Sequence, residues 1–237
     1  RMQNNLYAES IPDYSRRKAK YAPVLAALQA VYGALDWDGG SDPMDELVSC
    51  ILSQNTNDGN RDRAFAALQT RYKSWQAVVD APTDELVETL RPAGLANQKA
   101  PRIQKVLRRI YDEVGAYNIE FLRDLPLDEA RAWLMSFDGI GPKTAAIVLC
   151  FAFGRPAFPV DTHIYRVGQR IGFIPPTFNV ERAHPLMEAI VPPNMHYAFH
   201  IYLIRHGCDT CKAQRPRCER CPLQAVCDYY QEVVRAP

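Results

Sequence analysis

The chain has 237 residues, 47% hydrophobic and 23% charged, and its 28 Lys and Arg against 27 Asp and Glu give a formal net charge of +1. This composition excludes a disordered, collagen-like or mucin-like chain and predicts a folded protein of one large domain or two modest ones. No global field draws the molecule to a polyanion, so any nucleic-acid binding has to come from local patches. The longest apolar run, 145–153, is far short of the roughly 20 residues that span a bilayer. Residues 1–10 carry no apolar signal core, and the expectation is a soluble, unexported protein. Arg1 ahead of Met2 reads as a cleavage scar with no role in the fold.

Apolar residues recur with helical spacing almost throughout and show no convincing alternation of period two, so the reading is all-α. Val24, Leu25, Leu28, Val31, Tyr32 and Leu35 form a first stripe. Met44, Leu47, Val48, Ile51 and Leu52 form a second, opened by Ser41 and Asp42 with Pro43 at a first-turn position. Helices over 61–72 and 83–91 come next, and then Ile103, Val106, Leu107, Ile110, Tyr111 and Val114 line a long helix behind Asn97. Further helices are predicted over 127–136, 142–153, 162–171, 180–190 and 196–206. Seven of the 18 prolines fall within 156–193, which marks a change of architecture there. A compact helical bundle is therefore expected over 43–155, with a second helical unit after it. Pattern alone does not say which unit takes residues 1–42.

The stretch 137–144 reads FDGIGPKT and lies between two predicted helices. A G-x-G turn at a helix N-terminus leaves backbone amides free, a cradle suited to a phosphate. Gly139 and Gly141 remove side chains that would obstruct close approach, and Pro142 fits the first turn, where its missing amide costs nothing. Tight turns between helices also use glycine for purely steric reasons. Lys143 faces the positive end of the helix, a setting that favours a neutral, nucleophilic amine; a phosphate-binding or plain surface lysine is the other reading. Eighteen residues on, Asp161 opens another helix in the run 160–163, VDTH, and is suited to be its N-cap, which would hold the carboxylate ionised.

Of seven cysteines, Cys50 and Cys150 sit alone in apolar segments and read as small buried hydrophobes. The other five crowd into 208–227. Cys211, Cys218, Cys221 and Cys227 follow C-x6-C-x2-C-x5-C, four thiols within 17 residues, so one loop can wrap one centre. The single short C-x2-C favours an iron-sulfur cluster over tetrahedral zinc, which usually has two short knuckles, and free thiols are a third reading. Cys208 lies outside the pattern as a spare thiol. Arg205, Lys212, Arg215, Arg217 and Arg220 make the loop cationic, either to meet DNA or to balance the thiolates. His196 and His200 lie one helical turn apart with no third ligand and read as core histidines.

Together these segments resemble the endonuclease III family of DNA glycosylases, in the helix-hairpin-helix superfamily. The resemblance runs from about Met44 to Cys227 through ILSQNTND at 51–58, AGLANQKA at 93–100, DGIGPKTA at 138–145, VDTHIYRV at 160–167, His206-Gly207 and the four-cysteine loop, in family order and approximate spacing. It implies an all-α protein of two helical domains with the DNA site in the cleft between them. One is a six-helix barrel over 43–155 that carries the helix-hairpin-helix. The other is a discontinuous iron-sulfur domain from 1–42 and 156–237. Lys143 stands at the family's catalytic lysine, Asp161 at its catalytic aspartate, and the four cysteines at the ligands of a 4Fe-4S cluster.

The activity implied is that of a bifunctional DNA glycosylase and AP lyase of base excision repair. Lys143 would displace an oxidised pyrimidine from damaged double-stranded DNA and form a Schiff base, which permits β-elimination. A monomer, cytoplasmic and nucleoid-associated if bacterial, with no membrane partner, is expected. Chemistry on a base in a duplex requires extruding the nucleotide and filling the vacated stack. Leu95 is the candidate wedge, with Asn55 or Gln54 as the polar filler. Gly139 and Gly141 would hold a backbone phosphate, with His163, Arg215 and Arg217 as further DNA contacts; Lys99, Arg102, Lys105, Arg108 and Arg109 are either within reach of other phosphates or only a solvated helix face.

The chain departs from the family pattern at Asp138, where proline is common and where a carboxylate is expected to repel a phosphate. It departs again at Pro142, where arginine is common, and at Asn55, which replaces the usual glutamine. Adenine-excising and mismatch-specific relatives usually lack the lysine. Two competing classes are a non-catalytic iron-sulfur DNA-binding sensor of damage or redox state, against which Lys143 and Asp161 speak, and a zinc-stapled interaction module, which metal analysis would remove.

Overall fold

A computed structural model describes residues 11–235, so the readings of Arg1 and of 1–10 lie outside the described residues. Every regular element among the described residues is helical. None of these helices is long and apolar enough to cross a membrane. The chain divides into two compact units: residues up to Asp38 with those from Pro156 onward, and Gly39–Arg155.

The Gly39–Arg155 unit opens with α3 (Pro43–Ser53), after α1 (Tyr14–Ala19) and α2 (Tyr21–Tyr32) of the other unit. The Asp42 side chain accepts from the amides of Met44 and Asp45 at 2.9 and 3.0 Å, and Pro43 occupies the first turn, so two orphan donors are met as α3 starts. Its stripe Met44, Leu47, Val48, Ile51 and Leu52 is buried. There follow α4 (Asp58–Arg71), capped by Asn57, then α5 (Trp75–Asp80), α6 (Thr83–Leu90) and α7 (Ala96–Val114). The unit closes with α8 (Leu127–Met135) and α9 (Pro142–Ile147). α3 packs on α4, and α6 packs on α7.

Two predicted stretches differ in detail, and one helix falls outside the predicted set. The long helix does not wait for Asn97: it starts at Ala96 with Leu95 as its N-cap. Its buried stripe ends with Ile110, and Tyr111 and Val114 project from the last turns, Tyr111 packing its ring on Tyr117 with centroids 5.1 Å apart. The helix predicted over 142–153 is α-helical only to Ile147 and then widens into a π turn, Val148–Ala152, before Gly154 leaves it at φ +62°. Trp75–Asp80 is a helix that the sequence pattern does not predict; its six residues are too few to show a period.

In the other unit, α2 stops at Gly33, whose φ of +77° turns the chain away, so Leu35 lies beyond the helix and Val31 is exposed. α10 (Thr162–Ile171), α11 (Val180–Ile190) and α12 (His196–Asp209) complete it, with α10 packed on α12. Val24 and Leu28 of α2 share one core with Ile164, Val167, Phe199 and Leu203. The Arg17 guanidinium donates to the Gly172 carbonyl at 2.7 Å, and Lys20 and Arg16 reach the Asp228 carboxylate at 2.7 and 2.6 Å. The described N-terminal helices are thereby tied to the C-terminal third. Gly172 is required there, because its φ is +103° and a Cβ would lie 2.0 Å from Asp228 Oδ2. His196 and His200 are buried and bonded to the carbonyls of Val191 and Pro159 at 3.0 Å each, with Phe158 edge-on to both rings, so they are core residues.

Lys99 is the largest departure from the surface that the sequence suggests. It is 1% exposed, and its ammonium donates to the carbonyls of Leu52 and Ala93 at 2.7 and 2.8 Å. Burial, aided by nearby Arg102, lowers its pKa from the usual lysine range. It cannot reach a phosphate; it closes the C-terminal end of α3 against the turn before α7. Lys99→Met keeps the length and removes the donor, leaving two buried carbonyls unsatisfied. Unfolding by denaturant is expected to show a loss of about 2 to 4 kcal/mol, whereas Lys105→Met on the exposed face of α7 should leave the midpoint almost unmoved.

Candidate functional site

The hairpin joins α8 to α9. Gly139 has φ +78°, and Gly141 is extended and serves as N-cap of α9, so Pro142 and Lys143 are its first two residues. Ile140 and Phe137 are buried and anchor the turn, while Asp138, Gly139 and Lys143 are exposed. Among the described residues neither the Gly139 nor the Gly141 amide donates to a backbone carbonyl. Both remain open to an anion, with Lys143 one turn away.

Two further loops of this unit have backbones bent for presentation. Leu95, between Gly94 and Ala96, holds φ +50° and is 46% exposed. A left-handed, solvent-exposed leucine is costly and apolar at once, a form of strain that clusters at ligand-binding sites. Asn55 is also left-handed, at φ +54°, and exposed, a conformation that asparagine tolerates. Gln54 is placed differently: its side chain donates to the Gly139 carbonyl at 2.8 Å and accepts from Arg102 at 2.9 Å.

The basic residues of α7 brace the hairpin. Arg109 donates to the Ser136 carbonyl and hydroxyl, both at 2.8 Å, and covers the Phe137 ring at 4.2 Å. Arg108 reaches the Val79 carbonyl at 3.1 Å. Lys105 lies 3.1 Å from Asp138 and by that hydrogen bond and its charge holds the Asp138 carboxyl below the ordinary range. The repulsion expected from Asp138 is therefore countered by a partner on the neighbouring helix. The sequence suggests phosphates or a solvated face for these cations; in the structure Lys105 and Arg109 meet the hairpin segment, and Arg108 meets α5.

In the other unit Asp161 is the N-cap of α10, its carboxylate accepting from the Ile164 amide at 2.7 Å. His163, two residues on, has Nδ1 3.3 Å from the Arg166 guanidinium and 3.8 Å from the exposed Cys208 thiol, so it faces the cysteine end of α12. Lys143 belongs to the Gly39–Arg155 unit and Asp161 to this one.

Cys211, Cys218, Cys221 and Cys227 line one small hollow, shared with Arg170, His206, Leu223 and Tyr229. Burial pushes the Cys221 thiol up to about 11 and raises those of Cys218 and Cys227. Thiols raised in this way become thiolates only when a cation takes their charge. Among the described residues no three His, Cys, Asp or Glu side chains converge on a point that one ion could occupy. Four cysteines around one hollow suit a polynuclear iron-sulfur group. Arg166 donates to the carbonyls of Gly207 and Cys211, and Arg170 to those of Lys212 and Ala213 and to Cys211 Sγ at 3.4 Å. The Cys227 thiol donates to the Arg170 carbonyl at 3.2 Å. Sequence reasoning misses these two arginines; their spacing of four places both on one face of α10, but only the tertiary structure brings the loop to that face.

Residues 48–193 match the profile of the HhH-GPD superfamily base excision DNA repair proteins, and 211–227 match the iron-sulfur binding domain of endonuclease III. The chain belongs to the HhH-GPD superfamily. It is 34% identical over 193 residues to endonuclease III of Escherichia coli (strain K12), covering 81% of this chain and 87% of that protein. A protein of Arabidopsis thaliana named as a DNA glycosylase is 33% identical over 194 residues, 78% of this chain and 66% of its own length. The structure matches that of a trapped endonuclease III-DNA covalent intermediate with a TM-score of 0.77, at 29% identity, covering 92% of this chain and 99% of the other. The glycosylase is thus an endonuclease III-like DNA-binding enzyme of base excision repair, of the DNA glycosylase/AP lyase kind, with a 4Fe-4S cluster as its cofactor.

Purified enzyme is expected to contain four irons and four acid-labile sulfides per chain, which is the make-up of such a cluster. Cys211→Ala, Cys218→Ala, Cys221→Ala and Cys227→Ala should each lose iron and the visible absorbance of the cluster. Cys208→Ser should keep both, since Cys208 does not line the hollow. Iron loss from Cys208→Ser, or zinc without sulfide in protein prepared anaerobically, would contradict the ligand set.

Proposed function

We propose that the glycosylase is bifunctional and acts as a monomer on damaged duplex DNA, removing oxidised pyrimidines and cutting the strand through a Schiff base on Lys143. The observation that carries this reading is the exposed Lys143 in the first turn of α9, beside the open amides of Gly139 and Gly141. A phosphate held by those amides would bring the backbone of an extruded nucleotide to the amine. Leu95 enters the vacated stack, its apolar side chain offered by a bent backbone.

In this mechanism Lys143 Nζ attacks C1′ of the extruded nucleotide while the bond from C1′ to the base breaks, and the base leaves with the electron pair and gains a proton. Opening of the sugar gives an imine between Nζ and C1′. Loss of a C2′ proton to a base in the site then drives β-elimination: the C3′–O bond breaks and the 3′ phosphate departs. Hydrolysis of the imine restores the amine. Asp161, fixed by its bond from the Ile164 amide, stabilises the positive charge that develops on the sugar and helps activate Lys143. The 4Fe-4S cluster, when bound by Cys211, Cys218, Cys221 and Cys227, orders the loop that carries Arg215 and Arg217.

Borohydride should trap a covalent adduct between the enzyme and an oxidised-pyrimidine duplex. Lys143→Gln should abolish trapping and strand cleavage while keeping the fold and much of the lesion binding. Asp161→Asn can still cap α10 and should slow base release at least about a hundredfold, with a smaller effect on a preformed abasic site. Undiminished trapping by Lys143→Gln would show that another amine does the chemistry.

Arg215 is exposed with φ +51°, whereas the Arg217 guanidinium lies 3.3 Å from the Asp209 carbonyl and its amide donates to Thr210. Arg215→Ala should reduce the salt slope of DNA binding by about one with iron content unchanged. An unchanged slope would remove Arg215 from the DNA contacts.

A further inference from the structure

Gln54 follows the last residue of α3 and is the point where three segments of the Gly39–Arg155 unit meet. Its Nε2 donates to the Gly139 carbonyl at 2.8 Å, and its Oε1 accepts from Arg102 at 2.9 Å. The Arg102 guanidinium in turn lies against the hairpin, for a Cβ on Gly139 would sit 2.6 Å from Arg102 Nε and 2.7 Å from Cζ. Both ends of one carboxamide are thus committed, one to the hairpin backbone and one to α7. The next residue, Asn55, is exposed in the left-handed region, so the chain turns outward immediately after the tether.

We propose that Gln54 is a positioning residue that couples the turn presenting Asn55 to the phosphate-holding hairpin and does not itself contact the DNA. The inference rests on the proposed role of the hairpin in DNA binding. Three features make the coupling physical. A carboxamide donates through Nε2 and accepts through Oε1, so Gln54 serves a carbonyl and a guanidinium at once from two different atoms. Gly139 has no side chain, which lets Arg102 approach. The carbonyl engaged by Gln54 lies in one peptide plane with the Ile140 amide, which donates to the Phe137 carbonyl at 3.1 Å, so the tether holds the peptide that joins Gly139 to Ile140 in the middle of the hairpin. A loose tether would let the hairpin and the Asn55 turn move independently, and the enzyme would spend binding free energy to align them on DNA.

The test uses the full chain with its cluster and, as probe, a duplex carrying a tetrahydrofuran abasic analogue opposite each of the four bases, together with single-turnover excision on a lesion duplex. Gln54→Leu should weaken binding of the probe about tenfold, by a similar factor for every opposite base, with the single-turnover rate at saturating enzyme changed less than about twofold. Arg102→Leu should behave alike, and Gln54→Leu with Arg102→Leu together should be no worse than the more damaging of the two, because they break one tether. Asn55→Ala should instead change the ratio of affinities among opposite bases. Thermal unfolding and iron content identify any variant that fails to fold, and in that event Gln54→Glu, which retains the bond from Arg102 but loses the donor to Gly139, reads the same tether with a smaller change of shape. The proposal is overturned if Gln54→Leu shifts opposite-base preference and Asn55→Ala does not, or if the losses from Gln54 and Arg102 simply add. If wild-type enzyme neither binds the probe nor excises a base, the functional reading itself has failed, an outcome distinct from either of these.

Discussion

The cysteine-bearing unit depends on the last turns of α10. Sulfurs buried around a hollow cannot hold their own shape, since thiolates repel one another and a loop of 17 residues has little hydrophobic core of its own. α10 supplies what is missing through Arg166, Arg170 and the Arg170 carbonyl, which meet the loop at Gly207, Cys211, Lys212, Ala213 and Cys227. The same helix begins at Asp161 and ends at Gly172, where Arg17 of α1 is bound. One element of ten residues therefore carries the candidate carboxylate at one end and the support of the cluster loop at the other. A helix is stiff enough that the loop and the cap cannot be displaced separately.

The hairpin unit uses a different economy of charge. An anion-binding turn needs open amides, but open amides on an unsupported loop would be mobile. Here the cations of α7 are placed behind the hairpin: Arg109 on Ser136 and Phe137, Lys105 on Asp138, and Arg102 on Gly139 through Gln54. The positive side chains rigidify the turn, and the backbone dipoles at the start of α9 face the solvent. Composition counts side-chain charge only, so a net charge of +1 does not register the peptide dipoles that the hairpin offers.

Strained backbone is confined to a few informative places. Among the described residues only Asp13, Asn55, Leu95 and Arg215 are non-glycine residues with positive φ. Asn55 and Leu95 are exposed in two loops of the Gly39–Arg155 unit, and Arg215 lies on the cysteine loop. A leucine has no local hydrogen bond to offset a left-handed backbone, so the energy is recovered only in what its exposed side chain touches.

By itself the sequence determined the all-helical class, the stripes that bury α3 and α7, the cap at Asp42, the core role of His196 and His200, and the residue types of the hairpin and cysteine loop. These come from period, capping and spacing, which act over a few residues and survive in one dimension. Tertiary structure alone decided that Lys99 is buried under two carbonyls, that Gln54 belongs to the hairpin, and that Asp138 is neutralised by Lys105. It also decided that Arg166 and Arg170 hold the cluster loop. Each of these partnerships joins residues far apart in the chain, and a charged or amide side chain reads the same in sequence whether its partner is water, a phosphate or a distant carbonyl. Its role is set by what the fold places within about 3 Å, a distance that no local pattern records.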